Sequence, residues 1–139
     1  MEPEVISVGN ALYLYYRTDH SIAVATNSSD DGTNWTDMTT VLTPSPSGWD
    51  SGEVIAPSVV IVNSTYYLFY EANDSSTGRR AIGVAISSSP TGSFTKCSYF
   101  MKQKPWRMPV PTIPVFRTFS NNVCLSALKL ETREGNKRA

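Results

Sequence analysis

Ala56-Pro57-Ser58-Val59-Val60-Ile61-Val62, then Tyr66-Tyr67-Leu68-Phe69-Tyr70, then Ile82-Gly83-Val84-Ala85, then Gly92 and Phe94: this order decides the fold, because the chain has already written it once. The earlier copy runs Glu2-Pro3-Glu4-Val5-Ile6-Ser7-Val8, Leu12-Tyr13-Leu14-Tyr15-Tyr16, Ile22-Ala23-Val24-Ala25, Gly32 and Trp35. Each segment is short, β-branched or aromatic, and bounded by turn residues, which is strand chemistry. A repeat of this length built from strands is the sequence mark of a propeller blade.

Working outward from the repeat, four strands are expected in each copy. In the first they fall at Val5 to Val8, Leu12 to Tyr16, Ile22 to Ala25 and Trp35 to Leu42. In the second they fall at Val59 to Val62, Tyr66 to Tyr70, Ala81 to Ile86 and from Phe94 onward. Gly9-Asn10, Asp31-Gly32 and Asn63-Ser64 supply the turns, since these residues tolerate positive φ. The fold class read from this is all-β: a partial β-propeller of about two four-stranded antiparallel blades with an irregular C-terminal tail. The boundaries expected are residues 1–43 and 49–96 for the blades and 97–139 for the tail.

The tail reads differently. Pro105, Pro109, Pro111 and Pro114 exclude a central strand or helix there. Ile113-Pro114-Val115-Phe116-Arg117 reads as a remnant start of a third blade. Charge is also divided: Arg17 is the only basic residue up to Gly78, while from Lys96 onward the only acidic ones are Glu131 and Glu134. A basic patch for nucleic acid or membrane is one reading. A tail foreign to the repeat is the reading preferred.

Both cysteines, Cys97 and Cys124, lie in that tail, and two alone decide no pairing. Asn27, Asn34, Asn63 and Asn73 head Asn-x-Ser/Thr triplets, which are compatible with secretion. No apolar run approaches the length needed to cross a bilayer. The acidic start Met1-Glu2-Pro3-Glu4 is not read as an export signal, so the location of the chain is left open.

The set Ala56-Pro57-Ser58-Val59-Val60, Tyr66-Tyr67-Leu68-Phe69-Tyr70, Ile82-Gly83-Val84-Ala85 and Ser89-Pro90-Thr91-Gly92-Ser93-Phe94 resembles the second blade of glycoside hydrolase family 43. Glu2-Pro3-Glu4-Val5-Ile6 resembles that family's opening Asp-Pro-x-Val. The resemblance implies a five-bladed propeller with its site in the central funnel, hydrolysing arabinose- or xylose-containing polysaccharides with inversion. It implies three carboxylates, one from each of the first three blades: a general base, a group that tunes pKa, and a general acid. The base position falls on Glu2 and the modulator position on Ser58, where the family has Asp. For the acid the tail offers no clear Glu in a suitable context.

The resemblance therefore implies a glycosidase that is incomplete or inactive as this chain, and whether it is an enzyme at all is left open. The alternative is a non-catalytic carbohydrate-binding or interaction module. Ser28-Ser29-Asp30-Asp31-Gly32-Thr33-Asn34-Trp35 fits the Ser-x-Asp-x-Gly-x-x-Trp box of sialidases, which makes a sialidase-type propeller the alternative enzyme. The expected partner is a plant-type polysaccharide or oligosaccharide, with no nucleic acid, membrane or cofactor.

Trp49 and Asp50 are further candidates. Trp49 could stack on a sugar and Asp50 line the funnel, or they could pack between blades and cap a turn. Glu53 and Glu71 read as surface carboxylates. The aromatic stripe from Tyr13 to Tyr70 reads mainly as packing between blades. His20, the lone histidine, has no partners from which to build a transition-metal site.

Overall fold

In the computed structural model, residues 2–29 and 31–102 are described. The expectations for the tail beyond them, including the third-blade remnant, lie outside that range. Eight strands form two four-stranded antiparallel sheets, and the described residues contain no helix. The first sheet has the order β1 (Glu4–Val8), β2 (Ala11–Arg17), β3 (Ile22–Asn27), β4 (Thr36–Leu42). The second has the order β5 (Glu53–Val62), β6 (Thr65–Asn73), β7 (Arg80–Ser87), β8 (Thr95–Lys102). Each sheet is thus a simple meander, strand next to sequential strand, as a propeller blade requires.

The registers are set by the turns. Gly9, at φ 60°, turns β1 into β2 so that Val8 faces Ala11. Asn63 and Ser64 do the same for β5 and β6 with φ of 49° and 63°, the two positive values of a type I′ hairpin. Leu14 then pairs with Ala25, and Leu68 with Ala85, so the two copies superpose pair by pair. Two strands depart from expectation. β5 starts at Glu53, ahead of the apolar run, and β8 runs on to Lys102 because β7 offers it a partner edge.

Alternating side chains give every sheet two faces. The first sheet turns Ile6, Val8, Tyr13, Tyr15, Ile22 and Val24 toward the second. The second answers with Val59, Tyr66, Leu68, Tyr70 and Ala85. The core lies between the sheets. Tyr15 and Phe94 meet edge to face across it, with centroids 6.2 Å apart. Hydrogen bonds stitch the sheets, among them Tyr15 Oη donating to the Pro90 carbonyl at 2.6 Å, the Phe94 amide to the Val41 carbonyl at 3.1 Å, and the Val54 amide to the His20 carbonyl at 2.9 Å. Burial raises the Tyr15 hydroxyl pKa, with smaller contributions from Tyr66 and Tyr13.

The Ile82-Gly83-Val84-Ala85 strand needs its glycine for packing. A Cβ on Gly83 would sit 2.4 Å from the Trp49 ring and 2.7 Å from the Tyr70 ring. Those rings stack at 5.9 Å with 22° between their planes, directly over the Gly83 backbone.

Candidate functional site

β1 and β5 are the first strands of their sheets, so their beginnings are where residues of both blades can share one space. β5 is distorted there. Its pairing with β6 shifts between Ile55 and Ser58, one extra residue being accommodated by Ala56-Pro57. Ala56 takes φ of 51°, left-handed for a residue with a Cβ. Pro57 has no N–H to donate to the ladder, so a bulge is the place it can occupy. Bulges re-aim side chains, and left-handed non-glycine residues persist only where their surroundings hold them. The side chain re-aimed here is Ser58. It is exposed and pairs with Phe69, on the face turned away from the first sheet.

Pairing also fixes which residue of the first blade is its counterpart. Glu4 faces Tyr15 in β1–β2 just as Ser58 faces Phe69 in β5–β6. The equivalent of Ser58 is therefore Glu4, half-buried in β1. Glu2 precedes the strand and is exposed. The sequence carried this signal, since Glu2-Pro3-Glu4-Val5 and Ala56-Pro57-Ser58-Val59 align through their prolines.

A charged cluster occupies the same end of the sheets. Arg17, ending β2, donates to Glu53 Oε2 at 2.7 Å. Arg80, beginning β7, pairs with Glu71 and lies 3.8 Å from Glu53 Oε1. The Glu71 carboxylate raises the Arg80 pKa by its hydrogen bond and its charge, and Glu53 and Glu2 add smaller contributions. Glu53 is thus central to the cluster, where sequence reading made it a surface loop residue. Asn73 positions it: Asn73 Oδ1 accepts the Glu53 amide at 2.8 Å, and the Asn73 carbonyl accepts the Gly52 amide at 2.8 Å. A Cβ on Gly52 would stand 2.3 Å from Asn73 Oδ1, so this clamp requires glycine.

Trp49 and Asp50 are held elsewhere. Asp50 is buried, and Lys96 Nζ donates to its Oδ2 at 2.6 Å and to Ser45 Oγ at 3.0 Å. Lys96 lies in β8, three strand spacings from Ser58 in β5, or about 14 Å. It also stands on the opposite face, since it pairs with Ala85 while Ser58 pairs with Phe69. The structure therefore does not bring Asp50 and Ser58 together. Trp49 lies on Tyr70 between the sheets. The Tyr70 hydroxyl is buried and outside hydrogen-bond geometry with its neighbours, and burial raises its pKa, reinforced by the nearby Asp50 charge. A cleft of about 430 Å³ lined by Leu42, Pro44, Ser45, Phe94 and Lys96 opens at the outer strands, far from β1 and β5.

The Asp-box stretch is structural. Asp31 accepts from Asn27 Nδ2 at 2.9 Å and from the Thr33 amide at 2.8 Å, while Trp35 Nε1 donates to the Gly32 carbonyl at 3.0 Å. These bonds, that from Asn27 first, hold the Asp31 carboxyl well below the usual carboxylate range. Asp30, the residue that fits the box by spacing, lies outside the described residues. Among the described residues no group of three or more His, Cys, Asp or Glu is arranged to hold a metal ion.

Comparison with known proteins follows the same lines. The model for glycosyl hydrolases family 43 matches residues 1–108. No curated protein matches the chain. Among solved structures, a GH43_1 enzyme from Xanthomonas citri complexed with xylose is 25% identical, with TM-score 0.59, over 68% of this chain and 31% of that one. A β-xylosidase/α-arabinofuranosidase from a compost microbial metagenome, in complex with xylotriose, is 23% identical with TM-score 0.57, over 68% and 33%. An exo-β-1,3-galactanase from Phanerochaete chrysosporium with galactose is 23% identical with TM-score 0.61, over 72% and 25%. The chain spans a third or less of the length of these structures.

Proposed function

The chain belongs to glycosyl hydrolases family 43, and on that premise we propose that it carries the first two blades of a glycosidase acting on arabinose- or xylose-containing polysaccharides, and that by itself it does not turn substrate over. Inverting hydrolysis needs two groups roughly 6.5–9.5 Å apart. An acid gives its proton to the glycosidic oxygen as the bond from carbon to that oxygen breaks. A base takes a proton from the water whose oxygen forms the new bond to carbon. The acid works near neutral pH only if a neighbouring negative charge or burial raises its pKa.

In this reading Glu2 stands at the base position and Ser58 at the modulator position. Glu2 lies at the strand end where Arg80 feels its charge. One observation carries the prediction of inactivity: the side chain aimed by the strained Ala56-Pro57 bulge is a hydroxyl. A serine cannot raise the pKa of a neighbouring acid by like-charge repulsion. Trp49 and Asp50, in this reading, act on substrate only through the wall they build with Tyr70 and Lys96. The partner class is carbohydrate, supported by the xylose, xylotriose and galactose bound to similar proteins.

The test is hydrolysis of aryl xyloside, aryl arabinofuranoside and xylotriose by the purified chain beside Glu2→Ala. We expect no turnover from either. Strong hydrolysis lost in Glu2→Ala would overturn the inactivity and keep the base assignment. A second reading, a carbohydrate-binding module without catalysis, is favoured by the same Ser58. Calorimetric binding of xylotriose without turnover would select it.

A further inference from the structure

Asn27, Asn34, Asn63 and Asn73 head the same Asn-x-Ser/Thr triplet, and the fold gives them unequal surroundings. Asn27 is fully buried. Its Nδ2 donates to Asp31 Oδ1 at 2.9 Å, and its Oδ1 accepts the Ser29 amide at 3.0 Å. Asn73 is half-buried. Its Oδ1 accepts the Glu53 amide at 2.8 Å, and its Cγ lies 3.0 Å from where a Cβ on Gly52 would stand. Neither amide has room for a large substituent. Asn34 is exposed, but its Nδ2 donates to Thr33 Oγ1 at 3.2 Å, and the hydroxyl of its triplet, on Thr36, donates to the Thr26 carbonyl at 3.4 Å.

Asn63 differs from all three. It opens the β5–β6 turn at φ 49°, and it is exposed together with Ser64. Among the described residues its side-chain amide has no hydrogen-bond partner. The turn lies beyond the last pair of the ladder, Val62 with Thr65, so it projects from the sheet. It stands at the end of β5 opposite Glu53, five residues and about 17 Å from Ser58. Just before it, Val60 and Ile61 are 48% and 41% exposed, and alternation puts them on opposite faces of the strand. β5 also ends its sheet's strand order. An edge strand with apolar groups open on both faces is prone to association unless something blunts it.

We propose that Asn63 is an N-glycosylation site whose glycan shields this strand end, and that Asn27 and Asn73 stay unmodified because the fold uses their amides. The donor is a lipid-linked oligosaccharide diphosphate, delivered by an oligosaccharyl transferase. A bond forms between Asn63 Nδ2 and the anomeric carbon of the first sugar as the bond from that carbon to the diphosphate oxygen breaks. The amide gives up one proton, and the lipid diphosphate leaves. A glycan is bulky and hydrated, so only a side chain that faces solvent carries it in the folded chain. The route outward rests on the polysaccharide substrate proposed above, which meets the chain outside the cell. The choice of acceptor does not, and it is read without any assay of hydrolysis.

The full chain, secreted from yeast behind a cleavable leader, tests this. Peptide mapping after enzymatic deglycosylation in heavy-oxygen water is expected to mark Asn63 and to leave Asn27 and Asn73 unmarked. Thr65→Val is expected to lose the glycan and Thr65→Ser to keep it. Removing the glycan from the folded parent is expected to raise hydrophobic-dye binding several-fold. An unmarked Asn63, or a mark on Asn27 or Asn73 of the soluble protein, would overturn the proposal. Dye binding unchanged by deglycosylation would overturn the shielding. Mapping the parent needs no substitution, so misfolding of Thr65→Val does not leave the question open.

Discussion

The two sheets are close in sequence pattern and opposite in fate. Tyr15 and Ile22 of the first sheet are fully buried, yet their counterparts in the second, Phe69 and Ile82, are 41% and 48% exposed. Pairing makes the equivalence exact in register: Tyr15 faces Val24 as Phe69 faces Val84. The difference arises because the first sheet has a neighbour on that face and, among the described strands, the second does not. Burial here belongs to the stacking of blades and not to the blade.

The largest expected effect follows directly. Tyr15→Ala should cost about 3–5 kcal/mol, the usual range for deleting a large buried aromatic. Phe69→Ala should cost far less, because much of its ring is already in water. Urea unfolding of both variants measures the gap, and equal losses would mean that the second sheet's open face is covered in solution. Next comes the Gly83 site. Gly83→Ala drives a methyl into the Trp49 and Tyr70 rings and should cost about 1–3 kcal/mol by overpacking. The reverse change at the counterpart, Ala23→Gly, should cost about 0.5–1 kcal/mol through backbone entropy. A milder Gly83→Ala would show that Trp49 can leave its stack.

Smaller still is the hydroxyl that only one sheet has. Tyr15→Phe removes the bond to the Pro90 carbonyl and should lower stability by about 1 kcal/mol, or more if the buried carbonyl finds no other donor. Phe69→Tyr should be neutral, since its new hydroxyl reaches water.

The smallest effect is in acid. Hydrogen bonds depress the carboxyl pKa of Asp31 in the first sheet's loop and of Asp74 in the second's. A depressed folded pKa gives stability that is present above the unfolded value, about 3.9 for Asp, and is lost as pH falls below it. The melting temperature should therefore drop below about pH 4. Asp31→Asn and Asp74→Asn should each flatten that limb while leaving the neutral-pH curve shape alone. Flattening by Asp31→Asn alone would locate the acid sensitivity in the first blade.

Much of the architecture was legible because it is local. Alternation and turn residues fix strands within a few positions, and a repeat fixes which strands correspond. The Asp-box was legible as a structural turn, although the closing carboxylate is Asp31, one place from the residue that spacing picked. The candidate site was less so. Glu53 looked like loop because nothing near it in sequence announces that Asn73 and Arg17 will hold it. For Trp49 and Asp50 the sequence left two readings open, substrate contact or packing between blades, because their partners, Tyr70 and Lys96, lie many residues away.

By itself the sequence determined the strands, their order, their doubling and the family to which they belong, since each depends on neighbours a few residues apart. Tertiary structure alone decided which alternate face of each sheet is hidden, and that three arginine–carboxylate contacts gather at one end. The reason is physical. A strand's pattern states that its faces differ, but only the element packed against it determines which face loses its water.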